Sequence, residues 1–252
     1  MEPQAKLGLF AAGIAVVFGT ALGIGALVGD PAPEPETKDH ASMDMSTDMQ
    51  HGESHAPAGL SDSEHGYTLT DVTAPAAAGQ AGQLTFRIVR DGAPVTGFDT
   101  VHDKQLHLIV VRSDTAEFRH VHPTMNADGR WSIDWTWPTG GTYRVFTDFT
   151  PTGGSDLTLG RSVDVAGDAA FAPIPAPAKS AVVDGYSVAL TGDLRTAGGM
   201  LDFTVTRDGK PVVLEPYLGA AGHLVALRTS DLAYLHVHPQ GEPGGPEVAF
   251  HA

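Results

Sequence analysis

The sequence predicts an all-β protein in which two tandem immunoglobulin-like β-sandwich repeats follow one N-terminal transmembrane helix and a disordered tether. Three observations predict this organisation. A long apolar run lies near the N-terminus, a polar stretch rich in Pro, His and Met follows it, and two later segments share one histidine motif. A chain of 252 residues has room for about two domains of ordinary size.

The composition limits both the fold and the chemistry. The 30 Gly and 18 Pro residues, with 7 % aromatic residues, favour short strands and turns over long helices. A net charge of −15 repels nucleic acid and anionic lipid, so we expect no nucleic-acid partner. The chain has no cysteine, which excludes disulfides, thiolate metal sites and cysteine nucleophiles. A metal site must therefore use His, Met, Asp or Glu.

Residues 1–29 are predicted to form a short cytoplasmic start and a membrane anchor. The run 7–29 contains one polar residue, Thr20, and as a helix would be about 35 Å long, enough for a hydrocarbon core of about 30 Å. Lys6 precedes the run and an acidic flank follows it, which places the N-terminus in the cytoplasm. A cleaved signal peptide is the alternative. The expected location is the cell membrane, with a single pass and the bulk of the chain extracytoplasmic.

Residues 30–65 are predicted to be a disordered tether, because they contain too little apolar surface to fold. Soft ligands are concentrated in this stretch. Thioether sulfur favours Cu(I), and imidazole suits copper in either oxidation state, so the cluster indicates copper capture. A low-complexity spacer that happens to contain methionine is the alternative. The candidate ligands are Met43, Met45, Met49, His40, His51 and His55.

An internal duplication defines the rest of the chain. We call residues 66–167 repeat 1 and residues 183–252 repeat 2; a Pro/Ala linker, 168–182, joins them. The segment 107–123 of repeat 1 matches 223–239 of repeat 2 without a gap, and both copies contain His-Leu near the start and His-Val-His-Pro at the end. Self-similarity of this kind indicates one structural unit used twice.

Each repeat has a β pattern. Leu84, Phe86 and Ile88 alternate with polar residues, and the tryptophans around Trp135 alternate in the same way. About seven strands in roughly 100 residues are typical of an immunoglobulin-like sandwich. Repeat 2 stops near the position that matches Trp137. We therefore expect the natural protein to continue beyond Ala252, or another chain to complete repeat 2.

The histidines of the shared motif are the main candidate metal ligands. Two histidines separated by one residue on a strand share a face and lie about 6.5–7 Å apart. If the hairpin is centred near Asp114, His107 lies opposite His122, and three imidazoles converge. We predict a copper site here, with zinc as the alternative metal. The predicted ligands are His107, His120 and His122 in repeat 1 and His223, His236 and His238 in repeat 2.

Other residues near the motif are weaker candidates. His102 has no counterpart in repeat 2, and a structural role is the simpler explanation for Met125 and Asp148. Arg112 and Arg228 are predicted to pair with a carboxylate or a backbone carbonyl and to hold each hairpin. The alternative for the whole motif is structural packing, with the imidazoles hydrogen-bonded to backbone.

The sequence contains no phosphate-binding loop, dinucleotide fingerprint, nucleophile elbow or H-E-x-x-H zinc signature, so we expect no enzymatic activity. The predicted function is extracytoplasmic metal binding for sequestration, resistance or delivery, with a metal-exchange protein as a further partner. A cell-surface adhesion or scaffold module is the alternative. A copper-dependent oxidoreductase is less favoured, because no substrate pocket is recognisable.

Residues 66–252, together with the anchor and the His/Met tether, resemble membrane-anchored secreted proteins of actinobacteria that are described as heavy-metal-binding. The segments 106–114, 120–123, 143–149 and 216–228 carry this resemblance. More distantly, the plan is similar to small periplasmic copper-resistance carriers with an immunoglobulin-like fold. The resemblance implies metal handling and supports three histidines per repeat, without indicating which metal is bound.

Overall fold

The computed structural model describes residues 57–195, 198–237, 239–240 and 244–252, and all regular secondary structure in these residues is β. The all-β prediction is confirmed. The strands of repeat 1 and of the residues just before it are β1 (Ser63–Glu64), β2 (Tyr67–Thr73), β3 (Ala81–Arg90), β4 (Ala93–Pro94), β5 (His107–Arg112), β6 (Arg119–Val121), β7 (Thr124–Met125), β8 (Arg130–Thr136), β9 (Gly141–Phe149) and β10 (Leu157–Val165). The later strands are β11 (Ser180–Val183), β12 (Tyr186–Gly192), β13 (Met200–Arg207), β14 (Lys210–Pro211), β15 (Leu224–Leu227), β16 (Tyr234–Val237), β17 (Pro239–Gln240) and β18 (Glu247–His251).

The predicted anchor, residues 7–29, lies outside the described residues, as does most of the predicted tether. Within the described part of the chain, no helix is long and apolar enough to cross a membrane.

Repeat 1 is built from two antiparallel sheets. One has the order β1-β2-β3-β8-β7, with β4 paired to β3, and the other has the order β10-β9-β5-β6. Their facing side chains form one core in which Leu84, Phe86 and Ile88 are fully buried, as their alternation predicts. Trp131 and Trp135 of β8 are buried in the same core. Repeat 1 is therefore a β-sandwich.

Repeat 2 has one complete sheet and one short one. The order β11-β12-β13-β18-β17, with β14 paired to β13, parallels the first sheet of repeat 1. The second sheet contains only β15 and β16, which we call the repeat 2 hairpin. The core of repeat 2 is correspondingly small: its buried members are Leu201, Val237, Val248 and Phe250.

Some described residues of the predicted tether and the predicted linker pair with the neighbouring strands. Residues 57–62 pack on repeat 1, where the Gly59 amide donates to the Thr158 carbonyl at 3.0 Å. Strand β1 follows directly, within the stretch assigned to the tether. Strand β11 similarly begins inside the predicted linker. The reason is the same in both places, since backbone pairing to the neighbouring strand orders short segments that have no alternating apolar pattern of their own.

The two repeats pack against each other within the single compact unit 53–252. Ile109 and Val111 project from β5 on the face opposite the sandwich core, and Phe146 of β9 lies beside them. The repeat 2 hairpin covers this patch with Leu232 and Tyr234, and the Phe146 and Tyr234 ring centroids are 5.1 Å apart. Strand β5 is therefore buried on both faces, because it contributes to two cores.

Each hairpin that carries the histidine motif is held by an arginine, as predicted. Arg112 is 2 % exposed; its Nε and Nη2 donate to the two oxygens of Asp114 at 2.9 and 2.8 Å, and Nη2 also donates to the Ala170 carbonyl at 2.8 Å. The guanidinium hydrogen bonds hold the pKa of Asp114 well below its usual range. In repeat 2, Arg228 pairs with Asp231, but this pair is exposed. Both turns are thus held by an Arg–Asp ion pair, which is buried in repeat 1 and exposed in repeat 2.

Candidate metal centre

The hairpin of β5 and β6 brings three of the predicted histidines together. Leu108 pairs with Val121 in the ladder, so the next position outward sets His107 opposite His122. Ile109 pairs with His120, which places all three imidazoles on the same face of the sheet. The predicted register, with its centre near Asp114, is confirmed. We call His107, His120 and His122 the histidine triad.

The ring nitrogens of the triad converge closely. His107 Nδ1 lies 3.0 Å from His120 Nε2 and 3.1 Å from His122 Nε2. Two nitrogens bound at about 2.0–2.1 Å to one ion would be about 3.3 Å apart in tetrahedral geometry and about 2.9 Å apart at a right angle. The observed spacings lie between these values. Among the described residues, the triad is the group of His, Asp and Glu side chains whose ligand atoms come within 4.8 Å of one another.

The backbone fixes which nitrogen of His107 is available. Its Nε2 lies 3.1 Å from the Val101 carbonyl, which can only accept a hydrogen bond, so Nε2 carries the proton. In the neutral ring, Nδ1 therefore presents its lone pair to His120 and His122. Metal-binding histidines commonly donate their second ring nitrogen to a carbonyl in this way. One lone pair facing two imidazole nitrogens is an arrangement that a shared cation would satisfy.

Burial keeps the triad neutral. It is the main cause that lowers the pKa of His120 to about 3 and that of His122 to about 4, and the neighbouring histidines lower both further. Burial also lowers the pKa of His107 from its ordinary value. Neutral imidazole is the form that binds metal. The triad is therefore competent for metal binding at neutral pH without losing protons.

This electrostatic setting predicts an acid-tolerant site. From the motif alone, affinity would fall as the pH drops through about 6.5, the usual imidazole value. Since His120 and His122 reach half-protonation only near pH 3 and pH 4, both stay almost entirely neutral at pH 5.5. We therefore expect the Zn²⁺ affinity at pH 5.5 to stay within a few-fold of its value at pH 7. Three ordinary imidazoles would lose about 600-fold over that range. Competition titrations at both pH values measure this, and a loss of several hundredfold would contradict it.

Repeat 2 brings further polar side chains to the same place. Asp148 of β9 pairs with His107 across the ladder, and His236 Nδ1 donates to Asp148 Oδ2 at 2.5 Å. The Tyr234 hydroxyl also donates to this oxygen at 3.3 Å, and burial raises the pKa of Tyr234 well above its ordinary value. Asp148, which the sequence left as a structural residue, thus links the two repeats. A cleft of about 240 Å³ lined by His107, Asp148 and His236 opens at this junction.

The other predicted ligands lie near the triad, against the core of repeat 1, or outside the described residues. The His223 ring centroid lies 5.9 Å from that of His120 and 6.2 Å from that of His107. His102 lies in the loop before β5, with its ring centroid 4.9 Å from that of His223. Met125 packs against the core of repeat 1. The predicted ligands that lie outside the described residues are Met43, Met45, Met49, His40, His51, His55 and His238.

Comparison with known proteins gives a family but no activity. No curated protein matches the chain. A crystal structure of TarS from S. aureus is similar at a TM-score of 0.24 and 9 % identity, over 73 % of this chain and 34 % of TarS. A second structure, TarS 217-571, gives 0.23 and 11 %, over 73 % of this chain and 54 % of that one. The chain thus spans about a third of the first structure and half of the second, and likenesses this loose indicate no function.

The family match covers both folded segments. Residues 62–167 and 181–252 match the model of a domain of unknown function, DUF8832. These ranges begin within a few residues of β1 and β11, and the first ends two residues after β10. The match includes every residue of the histidine triad, together with His223 and His236. The chain therefore belongs to the DUF8832 family.

Proposed function

We propose that this protein binds a transition-metal ion outside the cytoplasm, with copper the favoured metal and zinc the alternative. The observation that carries the proposal is the convergence of three neutral imidazole nitrogens at 3.0–3.1 Å, one of them oriented by a backbone carbonyl. Imidazole suits both copper and zinc. The role is binding for sequestration, resistance or delivery to an exchange partner, rather than catalysis.

The rest of the chain fits this role. The anchor at residues 7–29 would hold immunoglobulin-like repeats on the outer side of the membrane, and the tether methionines would capture Cu(I). A net charge of −15 raises the local concentration of cations around the repeats. A cell-surface adhesion module would also use an anchor, but it would not need the tether methionines.

The direct test is the affinity of the triad. The 252-residue chain is used with its tether ligands replaced, and we call this protein the tether-silenced chain. Replacing His122 with alanine should weaken Zn²⁺ or Cu²⁺ binding at least tenfold, about 1.4 kcal/mol, because it removes one of three donors. Isothermal titration measures the change. The replacements that define the tether-silenced chain are Met43, Met45 and Met49 to Ile, and His40, His51 and His55 to Gln.

The matched control is His251→Ala, which removes an exposed imidazole of β18 outside the centre. It should leave the affinity unchanged. Binding by His122→Ala as tight as that of the parent would show that the triad is not the site, and the proposed function would lose its main support.

A further inference from the structure

His223 has the same local support as His107. Its Nε2 donates to the Tyr217 carbonyl at 3.1 Å, as His107 Nε2 does to Val101. In both places the accepting residue lies six positions earlier and closes a short bridge, Val101 with Lys104 and Tyr217 with Ala220. In the neutral ring, His223 Nδ1 therefore carries the lone pair. Repeat 2 thus presents an imidazole whose Nδ1 lone pair is oriented and able to bind a metal ion.

The available nitrogen of His223 is buried and unused. Among the described residues, His223 Nδ1 makes no hydrogen bond, and a buried ring nitrogen without a partner is costly. The half-buried ring lies beside the triad, with His120 and His107 as neighbours. A cation held by the triad would give this nitrogen a partner.

The distances are close to those of a shared ion. Within the triad, ring centroids are 4.9–5.2 Å apart. Imidazoles bound tetrahedrally to one ion have centroids about 5 Å apart. The distances of 5.9 and 6.2 Å from His223 exceed this by about 1 Å, a shift that side chains commonly make on binding.

The packing of repeat 2 favours sharing over a separate site. The repeat 2 hairpin is held on repeat 1 by Phe146 and Tyr234 and by the hydrogen bond from His236 to Asp148. These contacts accompany a position of the His223 ring beside the triad, near His120 and His107. The triad supplies three donors, whereas a closed tetrahedral site takes four.

We propose that the metal centre is shared between the repeats, with His223 of repeat 2 as the fourth ligand of the ion held by the triad. This inference rests on the proposed function, since it requires the triad to bind metal. The bound ion then clamps the repeat 2 hairpin onto repeat 1. One ion joins two domains, in place of one independent ion in each.

The test uses the tether-silenced chain and its His223→Ala and His223→Gln variants. Zn²⁺ titration should give one ion per chain for the parent, and at least tenfold weaker binding for both variants. The Cu²⁺ complex of the parent should show an electron paramagnetic resonance spectrum with four nitrogen ligands, reduced to three in the variants. Hydrogen exchange in the repeat 2 hairpin should slow at least tenfold when Zn²⁺ is added to the parent, and should not slow in the variants. His251→Ala is the matched control and should behave as the parent.

The outcomes separate this inference from the proposed function. If His122→Ala weakens binding while both His223 variants bind as tightly as the parent, the triad stands and the shared centre is overturned. Two ions per chain, one of which is lost in His223→Ala without change in the other, would also overturn it, because the sites would be independent. If the parent binds no metal, the proposed function itself fails.

Discussion

Replacing Asp114 with alanine is expected to lower the free energy of unfolding by about 3 kcal/mol or more. The change leaves the guanidinium of Arg112, which is 2 % exposed, without its carboxylate partner, and breaking a buried ion pair from one side is strongly destabilising. It also removes the acceptor for the Ala116 and Ala172 amides at 3.2 and 2.9 Å. Chemical denaturation at pH 7 measures the loss. Because the turn sets the register of β5 and β6, metal affinity should fall as well.

Repeat 2 provides a matched control for this prediction. The Arg228–Asp231 pair holds the equivalent turn, but its side chains are 53 % and 35 % exposed. Exposed pairs are screened by water and contribute little, so Asp231→Ala should leave the denaturation curve nearly unchanged. Equal destabilisation by the two variants would contradict the assignment of the Arg112 pair as buried and structural.

Replacing Tyr234 with alanine is expected to destabilise the packing between the repeats by about 3–5 kcal/mol, the usual cost of deleting a large buried aromatic side chain. Tyr234 is 4 % exposed, its ring packs at a tilt against that of Phe146, and its hydroxyl donates to Asp148. Its loss should free the repeat 2 hairpin, which faster hydrogen exchange in residues 224–237 would report. Tyr234→Phe should cost only about 1 kcal/mol, since it removes the hydroxyl and keeps the ring.

The duplication again provides the control. Phe118 occupies the position in repeat 1 that Tyr234 occupies in repeat 2, yet it is 48 % exposed. Phe118→Ala should change the free energy of unfolding by no more than about 0.5 kcal/mol. If Tyr234→Ala lowered the free energy of unfolding as little as Phe118→Ala, the packing of repeat 2 on repeat 1 described above would be contradicted.

Local pattern was enough to predict the parts of the candidate site that lie within one hairpin. The spacing of His120 and His122 requires a shared face in any strand, because side chains alternate with a period of two. A turn centred near Asp114 then sets His107 across from His122, and Arg112 with its carboxylate holds that turn. Each of these inferences depends on residues fewer than 20 positions apart.

One signal of the packing between repeats was available in the sequence. The segment 108–111 of β5 is apolar at every position, whereas a strand covered on one side alternates. This run indicated burial on both faces but did not identify the covering element. The histidine spacing suggested a separate site in each repeat, because a repeat pattern describes each copy and not the contact between them.

The sequence by itself determined the all-β class and the shared face of His120 and His122. It also predicted that His107 converges with them if the turn is centred near Asp114. Only the tertiary structure decided that His223 and His236 lie against the triad, that Asp148 links the two repeats, and that burial lowers the pKa of His120 and His122. The physical reason is the range of the interactions. Alternation and turn geometry act over a few residues, whereas the packing of the two hairpins joins surfaces 116 positions apart in the chain, at an orientation that no local pattern records.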